Sequence, residues 1–291
     1  MEWLNRLMSL DRRWIFLFIA IGTALPIIFP IGFGVTTTPP VQSLYDRIEA
    51  MDSTSVVLMS YDFGPSTSPE NNPMADAVLR HCFAKGVRVI IVALFPIGGV
   101  IMADQSLDRV LPDFPDLEYG VDWIHLGYKS GGQASMKQIG EDLHNVFPVD
   151  HRTNTPLSEI PLTQEVHAYR DMELVVSVAT GIIGEWWANL VNAQFGIPVA
   201  VGCTAVSAPK YYAYLLSGQM VGLLGGLKGA SEYEQLLMDG YPWMAEVYGR
   251  TGLYTAIKGM DAQTIDHSII LVFILIGNIA FFGTRSRRKQ G

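Results

Sequence analysis

The sequence predicts an α/β protein: a Rossmann-like, mainly parallel sheet in an extracytoplasmic domain that is flanked by two transmembrane helices. Three observations carry this prediction. Short apolar segments alternate with segments of helical character through the middle of the chain. Long uncharged apolar runs occur near both ends. The composition, 49% hydrophobic and 16% charged residues, is more apolar than that of a typical soluble protein and excludes intrinsic disorder.

Short runs rich in β-branched residues are predicted to be strands, because each is separated from the next by a segment long enough for a helix. Near-continuous apolar strands that alternate with helices indicate a parallel sheet covered on both faces. The predicted strands are 56–61, 87–95, 121–128, 174–180 and 197–203, with 219–224 as a candidate sixth strand.

The intervals between the strands are predicted to be helical, with one exception. Segment 147–165 contains three prolines and many polar residues, and two interpretations of it stay open: a lid or oligomer arm, and a long surface connection. The predicted helices are 41–51, 73–84, 99–110, 133–146, 183–194, 209–216 and 229–238.

The first predicted transmembrane helix is 14–34, which follows an N-terminal tail at 1–13 and carries no charge over 21 residues. A helix of that length is about 31 Å long, enough to cross the hydrocarbon core. Pro26 and Pro30 would kink its outer half, so we expect a partner helix that satisfies the freed backbone groups. The alternative is a cleavable signal peptide, but no cleavage site of small residues follows the run before Thr36.

The second predicted transmembrane helix is 268–284, whose one polar interior residue is Asn278. The alternative is a buried helix of a soluble protein. The C-terminal tail, 285–291, favours a membrane span because it holds a basic cluster of the kind that stops transfer across a membrane. That cluster consists of Arg285, Arg287, Arg288 and Lys289.

The charges that flank the two runs predict the topology. Arg6, Arg12 and Arg13 precede the first run and the basic cluster follows the second, whereas the opposite flanks, 35–46 and 259–267, contain no Lys or Arg. Both termini are therefore expected in the cytoplasm of a two-pass protein of the cell membrane. Residues 35–266 are expected on the extracytoplasmic side, and membrane lipid is an expected partner.

The middle domain is strongly acidic. Residues 35–266 hold 13 Lys and Arg against 26 Asp and Glu, which argues against a nucleic-acid partner. The two cysteines, Cys82 and Cys203, lie in apolar contexts and are expected to be buried free thiols, with a single disulfide as the alternative.

A ligand site is expected where the strands end, because ligands of open parallel sheets bind outside the carboxyl ends of the strands. Every predicted loop there contains Gly, Ser or Thr, which let backbone amides approach an anion or a carbonyl group. The alternative is that these residues only form turns and cap helices. The candidate ligand-binding residues are Asp62, Ser66, Lys129, Ser130, Thr180, Glu185, Thr204, Ser207 and Lys210.

Known sequence fingerprints assign neither a cofactor nor a metal. The chain has no dinucleotide or P-loop glycine motif, and its histidines form no H-x-H or H-E-x-x-H pattern. Ser130, Ser207 and Cys203 are candidate nucleophiles, but the sequence places no histidine to activate them, so the catalytic residues stay unassigned. Asp62 and Glu185 are a candidate carboxylate pair at the same edge.

Two functions from different classes follow. The first is a non-catalytic assembly or small-ligand-binding subunit of a homo-oligomer or a larger membrane complex, which the low charge and the small-residue helices favour. The alternative is an extracytoplasmic hydrolase or transferase that uses the loop residues at the strand ends.

Overall fold

The computed structural model describes residues 11–29, 31–250 and 255–288. The expected tail residues 1–10, Pro30 and Lys289 lie outside this part. The chain forms two compact units: residues 35–257 make the α/β unit, and residues 1–34 with 258–291 make the helical unit.

The helices and strands, in chain order, are α1 Arg12–Ile28, α2 Pro39–Glu49, β1 Val56–Asp62, α3 Ser68–Ala84, β2 Arg88–Ala93, α4 Gly99–Val110, β3 Trp123–Tyr128, α5 Gln133–Glu141, α6 Leu143–Val146, α7 Pro161–Glu165, β4 Leu174–Ala179, α8 Ile183–Trp186, a π-helical turn Trp187–Asn192, α9 Ala193–Phe195, β5 Val199–Cys203, α10 Ala208–Leu216, β6 Gly222–Gly225, α11 Gly226–Gly240, α12 Met244–Arg250 and α13 Ala256–Arg288.

The α/β unit contains one six-stranded sheet in the order β3-β2-β1-β4-β5-β6, and every neighbouring pair is parallel. This confirms the predicted Rossmann-like α/β class and the candidate sixth strand. The chain crosses from one half of the sheet to the other between β3 and β4, so β1 and β4 are neighbours at the centre. The topological switch point lies between these two strands.

Two hydrophobic cores cover the two faces of the sheet. Val57 and Met59 of β1 belong to the core shared with α2, α3, α4 and α11. Val56 and Leu58 belong to the opposite core, shared with α5, the π-helical turn and α10. Alternate side chains of each strand therefore enter different cores. Burial on both faces explains why the strands read as continuous apolar runs rather than as an alternating pattern.

Two predicted helices differ in detail from the observed ones. The predicted helix 133–146 is divided into α5 and α6 at Asp142, whose carboxylate accepts a hydrogen bond from the His144 amide at 2.9 Å. The predicted helix 183–194 contains the π-helical turn. A π-helical turn inserts an extra residue per turn and is frequent at functional sites.

Segment 147–165 is a connection that packs along β3. The His151 amide donates to the His125 carbonyl at 2.9 Å, and Val149 pairs with Pro156. The carboxylate of Asp150 accepts hydrogen bonds from the Thr153 side chain and from Tyr119. Although burial acts to raise it, these bonds hold the pKa of Asp150 well below its usual range. A lid or oligomer arm stays a prediction for this segment.

Within the described residues of the helical unit, one helix is long and apolar enough to cross a membrane. It covers Ala256–Phe282, 27 residues that include an 18-residue window with a mean hydropathy of 2.1. The first predicted span is shorter than expected, because α1 ends at Ile28 and Ile31 to Phe33 are not helical. Its 17 residues are about 26 Å long, less than the roughly 30 Å of a hydrocarbon core. Pro26 in the last turn explains the early end.

The helical unit has the partner helix that the prolines of the first run predict. The rings of Phe18 in α1 and Phe273 in α13 lie 5.8 Å apart, and Thr23 donates a hydrogen bond of 2.7 Å to Asp266. The carboxylate of Asp261 accepts the amides that follow α1, at 2.8 to 3.1 Å; they belong to Ile31, Gly32 and Phe33. The contact partners in α13 have lower residue numbers as the residue numbers along α1 increase. The first segment therefore runs antiparallel to α13.

Candidate functional site

The loops that follow the parallel strands form one continuous surface at the carboxyl edge of the sheet. A Cβ added to Gly64, after β1, would lie 2.4 Å from the Ile97 carbonyl after β2. A Cβ on Gly226, after β6, would lie 2.6 Å from Ala205 after β5. Because these approaches are too close for a side chain, glycine is required where the loops meet.

Asp62 ends β1 at the switch point and is fully buried. Its Oδ1 accepts the Leu94 amide at 2.9 Å, and its Oδ2 accepts the Ser177 hydroxyl and the Trp187 indole N–H, both at 2.8 Å. Burial raises the pKa of Asp62, against the effect of these donors. The buried Asp62 carboxylate therefore connects β1 to the end of β2, to β4 and to the π-helical turn. It lies beneath the loops of the carboxyl edge and not on their surface.

Lys210 and Glu185 form an ion pair on this surface. Nζ of Lys210 lies 2.5 Å from Oε1 of Glu185 and donates to the Gly181 carbonyl at 2.7 Å. The ion pair joins α10 to α8, and the bond to Gly181 joins α10 to the loop after β4. The pair also neutralises the charge of Lys210, one of the two lysines among the candidate ligand-binding residues.

Thr204 and Ser207 occupy the turn that leads from β5 into α10. The Thr204 hydroxyl donates to Oγ of Ser207 at 3.2 Å, and the next amide, of Ala205, donates to Glu70 at 2.8 Å. Glu70 therefore already pairs with one of the loop amides that could otherwise receive an anion.

Thr180 lies at the centre of the edge, and its amide donates to the Asp62 carbonyl at 3.0 Å. Ser66 is exposed in the turn before α3. Lys129 and Ser130 follow β3: the Lys129 amide donates to the Ala93 carbonyl at 3.0 Å, and Ser135 donates to the Ser130 carbonyl at 2.6 Å. The described hydrogen bonds and ion pairs connect neither Lys129 nor Ser130 to the other predicted residues.

Among the residues that the structure describes, no histidine is hydrogen-bonded to Ser130, Ser207 or Cys203. Cys203 is a buried free thiol, and burial raises its pKa to about 12. A thiol with that pKa stays protonated at neutral pH and is a poor nucleophile. Cys82 is also a buried free thiol.

Sequence reasoning missed an apolar feature of the same edge. Ile97 after β2, Ile182 after β4 and Val206 after β5 lie at loop tips with exposed fractions of 72%, 52% and 90%. We call these three residues the apolar rim. The sequence carries a signal for it, since each of the three is a β-branched side chain next to glycine, alanine or serine in the loop after a predicted strand.

The fold and this edge define the class of the protein: a Rossmann-like α/β protein with a helix that can cross a membrane. Comparison of the chain with family models, with curated proteins and with solved structures gave no match.

Proposed function

We propose that the protein is a membrane-anchored, non-catalytic assembly subunit that associates with a second copy of itself through the carboxyl edge of the sheet. The apolar rim is the observation that carries this proposal. Burial of exposed apolar side chains contributes about 25 cal/mol for each Å², so covering the three rim side chains on the same edge would favour association. The charged residues Lys210 and Glu185 of the same edge are already paired with each other.

Membrane anchoring through both ends is part of the proposal. The antiparallel pairing of α1 with α13 supports a two-pass arrangement. The 17 residues of α1 are short for a span, so the proposal requires the extended residues after α1, whose amides Asp261 accepts, to complete the crossing. In this arrangement both termini lie in the cytoplasm, and the α/β unit lies on the extracytoplasmic side, as the flanking Arg and Lys residues favour. Reporter fusions at Ser158 and at the C-terminus test the topology, and a cytoplasmic signal from Ser158 would contradict it.

The assembly experiment compares two glutamate substitutions of equally exposed apolar residues. Val206, in the rim, is 90% exposed, and Leu216, at the far end of α10, is 89% exposed. Native mass is measured for the full chain in a mild detergent. Val206→Glu should lower the mass towards that of a monomer, whereas Leu216→Glu should leave the oligomer intact. A monomeric wild type, or equal loss in both variants, would contradict the proposal.

Salt distinguishes self-association from association with a basic partner. Two copies of an acidic domain repel each other, so added salt should strengthen association of the pure protein by screening that repulsion. An oligomer that dissociates as salt rises would contradict the proposed apolar contact, because it would depend on attraction between opposite charges.

The alternative function, an extracytoplasmic hydrolase or transferase, has weaker support. It requires a nucleophile next to a base, and no described histidine is hydrogen-bonded to Ser130, Ser207 or Cys203. A small anionic ligand that binds near Lys129 remains compatible with the assembly role. Identical thermal shifts of wild type and Lys129→Ala with candidate anions would remove Lys129 from such a site.

A further inference from the structure

Three side chains from separate parts of the α/β unit meet next to the edge strand β3. Asp104 lies in α4, His125 in the middle of β3, and His151 in the connection that packs along β3. One potential metal-ligand atom of each residue lies within 4.8 Å of the other two. The sequence patterns predicted no metal site, because these residues are 21 and 26 positions apart along the chain.

His125 is the buried member of this cluster. Its side chain has no exposed surface, and its Nε2 has no hydrogen-bond partner while lying 3.8 Å from Oδ1 of Asp104. Buried polar atoms are nearly always paired, so an unpaired ring nitrogen that faces a carboxylate requires an explanation.

The other two members can adjust their positions. The ring of His151 is exposed and lies 4.9 Å from the His125 ring, while its backbone is held by the bond to the His125 carbonyl. Asp104 is half-buried on α4. Ligands around a tetrahedral zinc ion, at about 2.0 to 2.2 Å from the metal, are roughly 3.3 Å from one another. Side-chain rotation of Asp104 and His151 can therefore close the cluster around an ion.

We propose that Asp104, His125 and His151 bind a divalent transition-metal ion, with zinc as the preferred ion. Two imidazoles and one carboxylate form a ligand set that suits zinc and leaves a coordination position open. The bound ion would tie α4, β3 and the 147–165 connection together. It would also give the unpaired Nε2 a partner.

Two groups next to the cluster, the Gly127 amide and the Arg152 side chain, oppose metal binding. The Gly127 amide donates to Nδ1 of His125 at 3.1 Å, so this amide must turn away before Nδ1 can hold the ring proton and free Nε2 for a metal. Arg152 lies 3.7 Å from Oδ1 of Asp104 and competes with a cation there. Removing the Arg152 charge should therefore strengthen binding.

The test uses the full chain in detergent, with any affinity tag removed and metals stripped by a chelator. Zinc binding is measured by calorimetry, and cobalt binding by visible absorption, which reports the coordination geometry. We expect one saturable site for each chain. His125→Gln and Asp104→Asn should each weaken binding at least tenfold, and Arg152→Gln should strengthen it severalfold.

A second histidine pair supplies the matched control. His144 and His167 stack at 4.7 Å, and Nε2 of His144 is bonded to the Thr163 carbonyl at 2.8 Å. His144→Gln removes the same functional group and should leave zinc affinity unchanged. Circular dichroism verifies that each variant is folded. The absence of a saturable site in the wild type, or equal losses in His125→Gln and His144→Gln, would overturn the proposal.

Discussion

The indole N–H of Trp187 donates a hydrogen bond of 2.8 Å to Oδ2 of Asp62, the same oxygen that accepts the Ser177 hydroxyl. Trp187 is the first residue of the π-helical turn, and Asp62 is the last residue of β1. The bond therefore fixes the π-helical turn against the topological switch point of the sheet. Every described hydrogen-bond partner of the Asp62 carboxylate is a donor. These hydrogen bonds therefore stabilise the ionised form of Asp62.

Asp62→Asn should destabilise the α/β unit. The substituted amide can accept through its oxygen, but its NH₂ group would face donors, and an unsatisfied buried group costs about 1 to 3 kcal/mol. Denaturant unfolding of the full chain in detergent measures this loss. A fully stable Asp62→Asn protein would contradict the prediction and would show that the native carboxyl is protonated.

The Lys210–Glu185 pair should contribute little to stability. Its side chains are 37% and 24% exposed, and surface ion pairs are worth about 0 to 1 kcal/mol. A double-mutant cycle with Lys210→Met and Glu185→Gln should therefore give a coupling free energy below about 1 kcal/mol. A larger coupling would mean that the pair organises the loops after β4 and β5.

Stability should depend on pH through Glu234 of α11. Its oxygens accept the amides of Ala256 at 2.9 Å and Ile257 at 3.0 Å, but burial dominates and raises the pKa to about 8 from the ordinary 4.5. The folded chain retains a proton that the unfolded chain releases. Its stabilising contribution is thus complete below about pH 4.5 and is lost as pH rises through 8.

Glu234→Gln should therefore flatten the fall in unfolding midpoint between pH 5 and pH 8. Glu246→Gln, which changes an exposed glutamate on α12, is the control and should preserve the slope of the wild type. Thermal unfolding at matched ionic strength makes the comparison. Parallel curves for wild type and Glu234→Gln would show that another group controls this range.

Gly99 should tolerate no side chain. A Cβ at this first position of α4 would lie 2.6 Å from the Tyr61 carbonyl and 2.9 Å from Cβ of Ala93. Gly99→Ala should therefore lower the free energy of unfolding by about 1 to 3 kcal/mol, the usual cost of overpacking. Gly249→Ala, in α12 with no atom within 4 Å of the added Cβ, should be neutral or slightly stabilising. Equal unfolding midpoints would contradict the clash.

The strands were predictable from the sequence because burial on both faces leaves a local signal. β1, for example, is buried along its whole length, and its residues are apolar except where Ser60 and Asp62 occur. The position of the carboxyl edge was also predictable, because glycines and small residues directly follow each strand in the sequence. The α/β class of the fold follows from the alternation of these strands with helical segments.

Relationships between distant residues could not be predicted in this way. Lys210 and Glu185 are both polar loop residues in the sequence, and nothing local states that they neutralise each other. The ligand atoms of Asp104, His125 and His151 meet only after three elements pack together. The early end of α1 has a local cause in Pro26, but the acceptor that satisfies the following amides, Asp261, lies over 200 residues away.

The two ends of the α/β unit are held by one helix. Thr38 donates its amide and hydroxyl to Glu232 of α11, and two residues further along the same helix Glu234 accepts the Ala256 amide. The entry and exit of the unit are therefore separated by about the width of a helix, roughly 10 Å. A chain segment whose two ends lie this close together can be joined to another chain at both ends without a long linker. Its insertion into a surface loop of a carrier protein should therefore need only short linkers.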